Sequence, residues 1–219
     1  MKVGTDGVLL GAWTDVSGVQ SILDIGTGTG LIALMLAQRS PATIYGIEID
    51  KDAAAQAGEN VNHSPWHERI KIEPISLQTF VKNTDCCFDL IVSNPPYFNK
   101  SLKNPDVQRS VARHADSLSQ EDLIMAACTL LSNAGRLSMI LPATEGEEFI
   151  LRAESSLLYC SKKTKVIPRI GAPEKRLLLE FSRTKEVCRE DYLLIEKGRH
   201  DYSDEFRGLT EEYYLDKSI

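Results

Sequence analysis

Glycine recurs at every second position of Gly26-Thr27-Gly28-Thr29-Gly30, between an apolar run at 22–25 and an apolar stretch at 31–39 that stops near Ser40-Pro41. Three glycines in five residues break both strand and helix. The chain turns sharply there, with its backbone open to a ligand because no Cβ stands in the way. A strand that ends in such a turn and runs on into a helix aims the first helical amides at an anionic group. That unit restricts the chain to architectures in which strands and helices alternate.

The alternation continues downstream. Residues 43–49 are apolar and β-rich, 51–62 form an acidic, alanine-rich helix, and 69–75 and 88–92 are further strands. Ser119 and Asp122 make a Ser-x-x-Asp helix start, a weaker signal than the same box with Glu or Gln. Leu123, Ala126, Ala127, Leu130 and Leu131 then recur at helical spacing, and Gly135 is expected to end that helix. Residues 136–141 are a strand closed by Pro142, and 145–158 are helical. Two late β-rich runs, 159–168 and 176–182, flank Gly171-Ala172-Pro173 and predict an antiparallel hairpin with a long loop. The sequence therefore predicts an α/β fold: a Rossmann-like, doubly wound, seven-stranded, mostly parallel sheet with helices on both faces and a C-terminal antiparallel hairpin, in one domain spanning 1–219. The stretch 99–118 is polar and irregular, and the polar, aromatic tail from Val187 finds no place in this scheme.

In open sheets of this kind ligands bind beyond the carboxyl ends of the strands, where the strand order reverses. Three features fall at such ends: the glycine turn, Glu48 after the second strand, and Asn94 after the fourth. Glu48 stands eighteen residues beyond Gly30, where a carboxylate accepts both ribose hydroxyls of an adenosine. Gly28-Thr29-Gly30-Leu31-Ile32-Ala33 also fits a dinucleotide register, which leaves a nicotinamide or flavin enzyme open on this segment alone.

The strand at 88–92 runs into Asn94-Pro95-Pro96-Tyr97-Phe98. An amide, two imino acids and two aromatics make a poor core but a good slot for a flat group that bears nitrogen. An exocyclic amine is a weak nucleophile, because its lone pair is delocalised into the ring. The Asn94 side-chain oxygen and the Pro95 carbonyl can accept its two N–H bonds and turn the lone pair towards an electrophile. Pro96 holds residue 95 extended, so alignment rather than a strong base supplies the rate. Tyr97 or Phe98 can stack on a base, worth roughly 1–3 kcal/mol in comparable contacts. Such a base must be extruded from a stack or lie in a loop.

The net charge of −6 and the pI near 5.3 argue against a general nucleic-acid binder, although a local basic patch can act on an acidic protein. Candidates for such a patch are Lys100, Lys103, Arg109 and Arg113, together with Lys162, Lys163, Lys165, Arg169, Lys175 and Arg176. The five cysteines include no Cys-x-x-Cys pair, and Pro65 separates His63 from His67, so neither a disulfide framework nor a metal site is expected. No apolar run approaches the roughly 20 residues of a membrane span, and residues 1–6 lack the features of a secretory signal. A cytoplasmic monomer without metal is expected.

Asp24 precedes the first glycine by two residues, and Asp-x-Gly-x-Gly-x-Gly resembles the first motif of Rossmann-like S-adenosylmethionine-dependent methyltransferases. With Glu48 and Asn94 to Phe98, the chain resembles the amino-group methyltransferases, which act on adenine N6, guanine N2 or protein glutamine N5. The opening Lys2-Val3-Gly4-Thr5-Asp6-Gly7-Val8-Leu9-Leu10-Gly11-Ala12-Trp13 is similar to that of the bacterial tRNA1(Val) (adenine-37-N6)-methyltransferases. Ala112-Arg113-His114 and the stretch from Lys175 to Phe181 agree with that family. The resemblance implies S-adenosylmethionine as cofactor and a tRNA anticodon-loop adenine as substrate. It implies Asn94, Pro95, Pro96 and Tyr97 as the catalytic motif, and Tyr97, Phe98, Arg109, Arg113, Lys175 and Arg176 at the substrate. Around the cofactor it implies Thr5, Asp6, Gly7, Asp24, Gly26, Gly28, Glu48, Ser76, Leu77 and Asn94. Two departures stand out. Relatives often carry an acid where Ser76-Leu77 stands here, and they usually carry some tens of residues with a β-segment ahead of the opening motif, whereas this sequence starts almost at that motif. Protein glutamine-N5 methyltransferases share the tetrapeptide, and a non-catalytic adenosine-binding module remains a further alternative.

Overall fold

The computed structural model describes residues 4–96, 118–199 and 201–214. Five parallel strands come first along the chain: β1 (Ser21–Ile25), β2 (Thr43–Ile47), β3 (Ile70–Glu73), β4 (Phe88–Ser93) and β5 (Leu131–Pro142). They are followed by β6 (Tyr159–Arg169), β7 (Arg176–Ser182), β8 (Arg189–Gly198) and the short β9 (Asp201–Tyr202). All nine belong to one sheet in the order β3-β2-β1-β4-β5-β7-β6-β8-β9. The first seven are the expected strands, and β6 and β7 are the expected antiparallel hairpin. The tail that the sequence left unplaced adds the other two: β8 lies parallel to β6, and β9 folds back on β8.

Among the described residues seven α-helices clothe the sheet: α1 (Thr5–Trp13), α2 (Leu31–Arg39), α3 (Lys51–Asn62), α4 (Leu77–Asn83), α5 (Gln120–Leu130), α6 (Ala143–Ser155) and α7 (Asp204–Thr210). Leu77 and Phe80 of α4, with the apolar faces of α5 and α6, close one face of the sheet around Phe88, Phe149 and Phe181. Leu9 and Leu10 of α1, Ile32 and Leu36 of α2, Val61 of α3 and Phe206 of α7 close the other. With helices on both sides, β1 and β4 are buried almost throughout and read as near-continuous apolar runs. None of the helices among the described residues is long and apolar enough to cross a membrane.

Several local features differ from expectation, beginning with α4 and α7, two short helices that the sequence reading does not contain. Gly135 does not end α5, which stops at Leu130 and passes directly into β5. The β4–β5 register is irregular between Phe88 and Leu90, and a Cβ on Gly135 would lie 2.8 Å from the Phe88 carbonyl oxygen. This glycine therefore serves a close backbone approach at an irregularity between strands rather than a helix stop. The Ser119 start is a complete capping box, since Asp122 returns a bond to the Ser119 amide at 3.0 Å. Finally, the opening motif is itself helical. α1 is buried on all sides, so it lacks the one-faced period that marks a surface helix. Gly11 lets it press on α2, because a Cβ there would come within 2.7 Å of Met35 Sδ.

Candidate active site

The sheet order reverses between β1 and β4. Ile25 pairs with Ser93 at the carboxyl ends of these two strands, so the glycine turn and Asn94 leave the sheet side by side. The Ser93 hydroxyl donates to the Ile25 carbonyl at 3.0 Å and staples the two ends together. Sequence reasoning missed this serine; its only signal is a lone hydroxyl at the close of an apolar strand.

The turn hangs from the end of β2. The amides of Gly26 and Thr27 both donate to the Ile47 carbonyl, at 2.9 and 3.0 Å. Gly26 and Gly28 have φ of 71° and 58°, in the left-handed region that side chains with a Cβ rarely adopt. A Cβ on Gly26 would meet no atom within 4 Å, so that glycine faces open space. The Glu48 carboxylate wraps around the turn, accepting from the Gly28 amide and from the Asp50 amide, each at 2.9 Å. An ionised carboxylate accepts about four hydrogen bonds, so Glu48 keeps capacity for further donors.

Asp24 lies fully buried beneath this turn. Its Oδ2 accepts from the Thr27 hydroxyl at 2.7 Å, while its Oδ1 has no hydrogen-bond partner. Desolvation dominates and raises its pKa to about 7, against the lowering effect of the Thr27 hydrogen bond and of the nearby Ala33 amide dipole, and with a further push from the Glu48 charge. A buried, unpartnered carboxylate oxygen beside a glycine turn that faces open space fits a ligand that brings donors or positive charge. Thr27, which orients Asp24, was not singled out from sequence, although its position three residues on was the available signal.

α1 brings the opening motif to the same place. A Cβ on Gly7 would lie 3.1 Å from Leu31 Cδ2, at the start of α2, and 3.9 Å from Asn94 Nδ2. Gly7 thus lies beside both Leu31 and Asn94. Asn94 is half-buried, Pro95 is buried and Pro96 is exposed. Thr5 is exposed at the head of α1, and Asp6 beside it accepts from Arg176 Nε at 2.9 Å. Ser76 and Leu77 stand beyond the end of β3 on the same edge of the sheet. Ser76 caps α4, accepting from the Thr79 amide at 3.2 Å, and Leu77 is buried.

Lys175 and Arg176 lie at the start of β7, on that edge but farther out. Pro142 of β5 pairs with Arg176, and Met139, three residues earlier, pairs with Ser93. At about 3.3 Å per residue, Arg176 stands roughly 10 Å beyond the end of β4. Tyr97, Phe98, Lys100, Lys103, Arg109, Arg113 and the Ala112-Arg113-His114 stretch fall outside the described residues, as do Lys2 and Val3. Among the described residues no cluster of three or more His, Cys, Asp or Glu is arranged to hold a metal.

A strand-order reversal that carries a buried acid and a glycine turn on one side and Asn-Pro-Pro on the other defines a Rossmann-like methyltransferase. The methyltransferase small domain family matches residues 7–165. The tRNA1(Val) (adenine(37)-N6)-methyltransferase of Bacteroides fragilis is 51% identical over 216 residues, covering 98% of this chain and 91% of that protein. The proteins of that name from Trichodesmium erythraeum and Haemophilus influenzae are 48% and 43% identical, each over 98% of this chain and over 91% and 92% of their own length. The chain belongs to the methyltransferase small domain family and, within it, to the tRNA1(Val) (adenine(37)-N6)-methyltransferases. Among solved structures, a predicted O-methyltransferase from Agrobacterium tumefaciens superposes with a TM-score of 0.70 at 21% identity, covering 94% of this chain and 96% of that one. M. capricolum TrmK, solved with S-adenosyl-homocysteine, gives 0.59 at 13% identity, covering 87% and 72%. These two likenesses concern the fold. Family membership sets aside the hydride-transfer alternative.

Proposed function

We propose that this protein transfers a methyl group from S-adenosylmethionine to the exocyclic N6 of an adenine in a tRNA anticodon loop, at position 37 of tRNA1(Val) as in the names of its relatives. The observation that carries this reading is the placement of Asn94 next to the glycine turn across the strand-order reversal. When bound, the cofactor supplies an electrophilic methyl group on a positively charged sulfur.

The residues of the chain divide the remaining work. Glu48 accepts from the ribose hydroxyls with its spare lone pairs. Asp24 offers Oδ1 to the donors of the methionine part, and Gly26 and Gly28 let that part lie against the backbone. Thr5, Asp6 and Gly7 wall the same part from the side of α1, and Ser76 and Leu77 border the adenine. Across the crevice, Asn94 and the Pro95 carbonyl accept the two amino N–H bonds of the target base and aim its lone pair. Pro96 fixes the Pro95 carbonyl, and Tyr97 and Phe98 supply the stacking face. Arg109, Arg113 and Lys175 are read as the cationic surround of the RNA, with Arg176 beside them tied to Asp6. One continuous sheet through every described strand supports a single domain over residues 1–219.

The test is methyl transfer from labelled S-adenosylmethionine to bulk tRNA isolated from cells that lack the modification, followed by nucleoside analysis. Label in N6-methyladenosine is expected. Label that enters the glutamine of a peptide substrate and no adenine would overturn the RNA reading in favour of protein methylation.

A further inference from the structure

We propose that the tip of the β6–β7 hairpin is a backbone-phosphate subsite for the substrate RNA, formed by Arg169 and Lys175. This inference rests on the tRNA reading above and adds a second point of attachment outside the crevice.

The hairpin carries six cations, and the structure neutralises or occupies four of them. Lys162 Nζ lies over the Trp13 ring, 4.3 Å from its centroid. Lys163 pairs with Glu190 at 2.9 Å and with Glu147 at 3.4 Å, and Lys165 pairs with Glu190 at 3.5 Å. Arg176 is held by Asp6. Arg169 and Lys175 are exposed, and among the described residues neither has a carboxylate at ion-pair distance. Both line an open groove of about 510 Å³ with Pro168, Ala172, Pro173 and Glu196.

The groove is built rigidly. The Ala172 amide donates to the Arg169 carbonyl at 3.1 Å and closes a turn in which Gly171 has φ 77°. The Lys175 amide donates to the Val166 carbonyl at 3.0 Å, and the Lys175 carbonyl accepts from the Ala143 amide at 3.2 Å. A backbone fixed in this way adds no loop-ordering cost to that of immobilising the two side chains on an anion. β6 and β7 meet in this loop at the same sheet edge as Asn94. Ser93 pairs with Met139, Met139 with Leu179 and Leu179 with Lys163, six residues before Arg169. Strand rise and spacing place Arg169 on the order of 25 Å from the end of β4. That separation exceeds the reach of one nucleotide, so the phosphate it takes is distinct from that of the target nucleotide. Glu196, the cross-strand neighbour of Arg169 on β8, borders the groove and opposes an anion there.

The experiment measures filter binding and methylation of an unmodified tRNA1(Val) transcript over a series of KCl concentrations. The Arg169→Ala/Lys175→Ala protein is expected to bind roughly tenfold more weakly at low salt, with a salt slope shallower by about 1–2. Its KM for the transcript rises while kcat and S-adenosylmethionine affinity stay at wild-type values. Glu196→Gln is expected to bind more tightly. Lys82→Ala/Lys185→Ala removes the same charge at the opposite edge of the sheet and is expected to behave as wild type. Unchanged affinity and slope in the hairpin variant, or an equal loss in the charge-matched control, would overturn the subsite. If the wild type methylates no transcript while the binding contrast persists, the methylation reading falls and the subsite stands.

Discussion

Arg176 Nε donates to Asp6 Oδ2 at 2.9 Å across 170 residues of chain, tying the first turn of α1 to the first residue of β7. Both side chains are a quarter exposed. The bond joins two residues that the sequence suggests for different partners, the cofactor and the RNA. It anchors the helix whose Gly7 borders Asn94. A double-mutant cycle on Arg176→Ala and Asp6→Asn, read by urea unfolding, should give a coupling of about 1 kcal/mol. The two single variants should lose activity to a similar degree. Fully additive losses would show that the pair does not act as a unit.

Asn94→Ala should lower kcat by at least about 100-fold, because the amine loses an acceptor that fixes its orientation. Calorimetry with S-adenosyl-homocysteine should show cofactor affinity within a few-fold of wild type. Turnover at wild-type rate would instead favour a binding module whose Asn-Pro-Pro is a structural turn.

Gly26→Ala places a Cβ where φ is 71° and where open space begins. The left-handed backbone should cost about 1–2 kcal/mol of stability. The added methyl should weaken cofactor binding further, so affinity measured on the folded variant falls as well. A variant with wild-type affinity would move the cofactor away from this turn.

Asp24 links stability to pH. Its folded pKa, about 7, lies above the ordinary carboxyl value of 3.8. The folded state therefore holds a proton that the unfolded chain has released between these values. Stability from this group is fully present below pH 3.8 and is lost as pH rises towards 7. The bound is about 4 kcal/mol across the window. Asp24→Asn should remove this slope, seen as a difference between the unfolding free energies of the two proteins at pH 5 and pH 8. Parallel profiles would mean that Asp24 is ionised at neutral pH.

Much of the framework was readable because its signals are local. Apolar strands, glycines that must adopt positive φ, and a proline pair after a strand act within a few residues of their cause. This is why Gly26, Gly28, Glu48 and Asn94 emerge at strand ends from the sequence alone. α1 escaped because a helix buried on every side shows no period. Gly135 misled because its reason is the Phe88 carbonyl, 47 residues away.

Sequence by itself determined the order of β1 to β7 and of the helices α2, α3, α5 and α6, with the chemistry gathered at the strands' carboxyl ends, because propensity, periodicity and glycine geometry belong to short segments. Only the tertiary structure decided which cations remain available. Lys163, Lys165 and Arg176 are engaged by Glu190, Glu147 and Asp6 once the strands take their register, whereas Arg169 and Lys175 line an open groove. Charge pairing falls off with distance in space rather than along the chain, so register and packing assign partners that spacing along the sequence does not reveal.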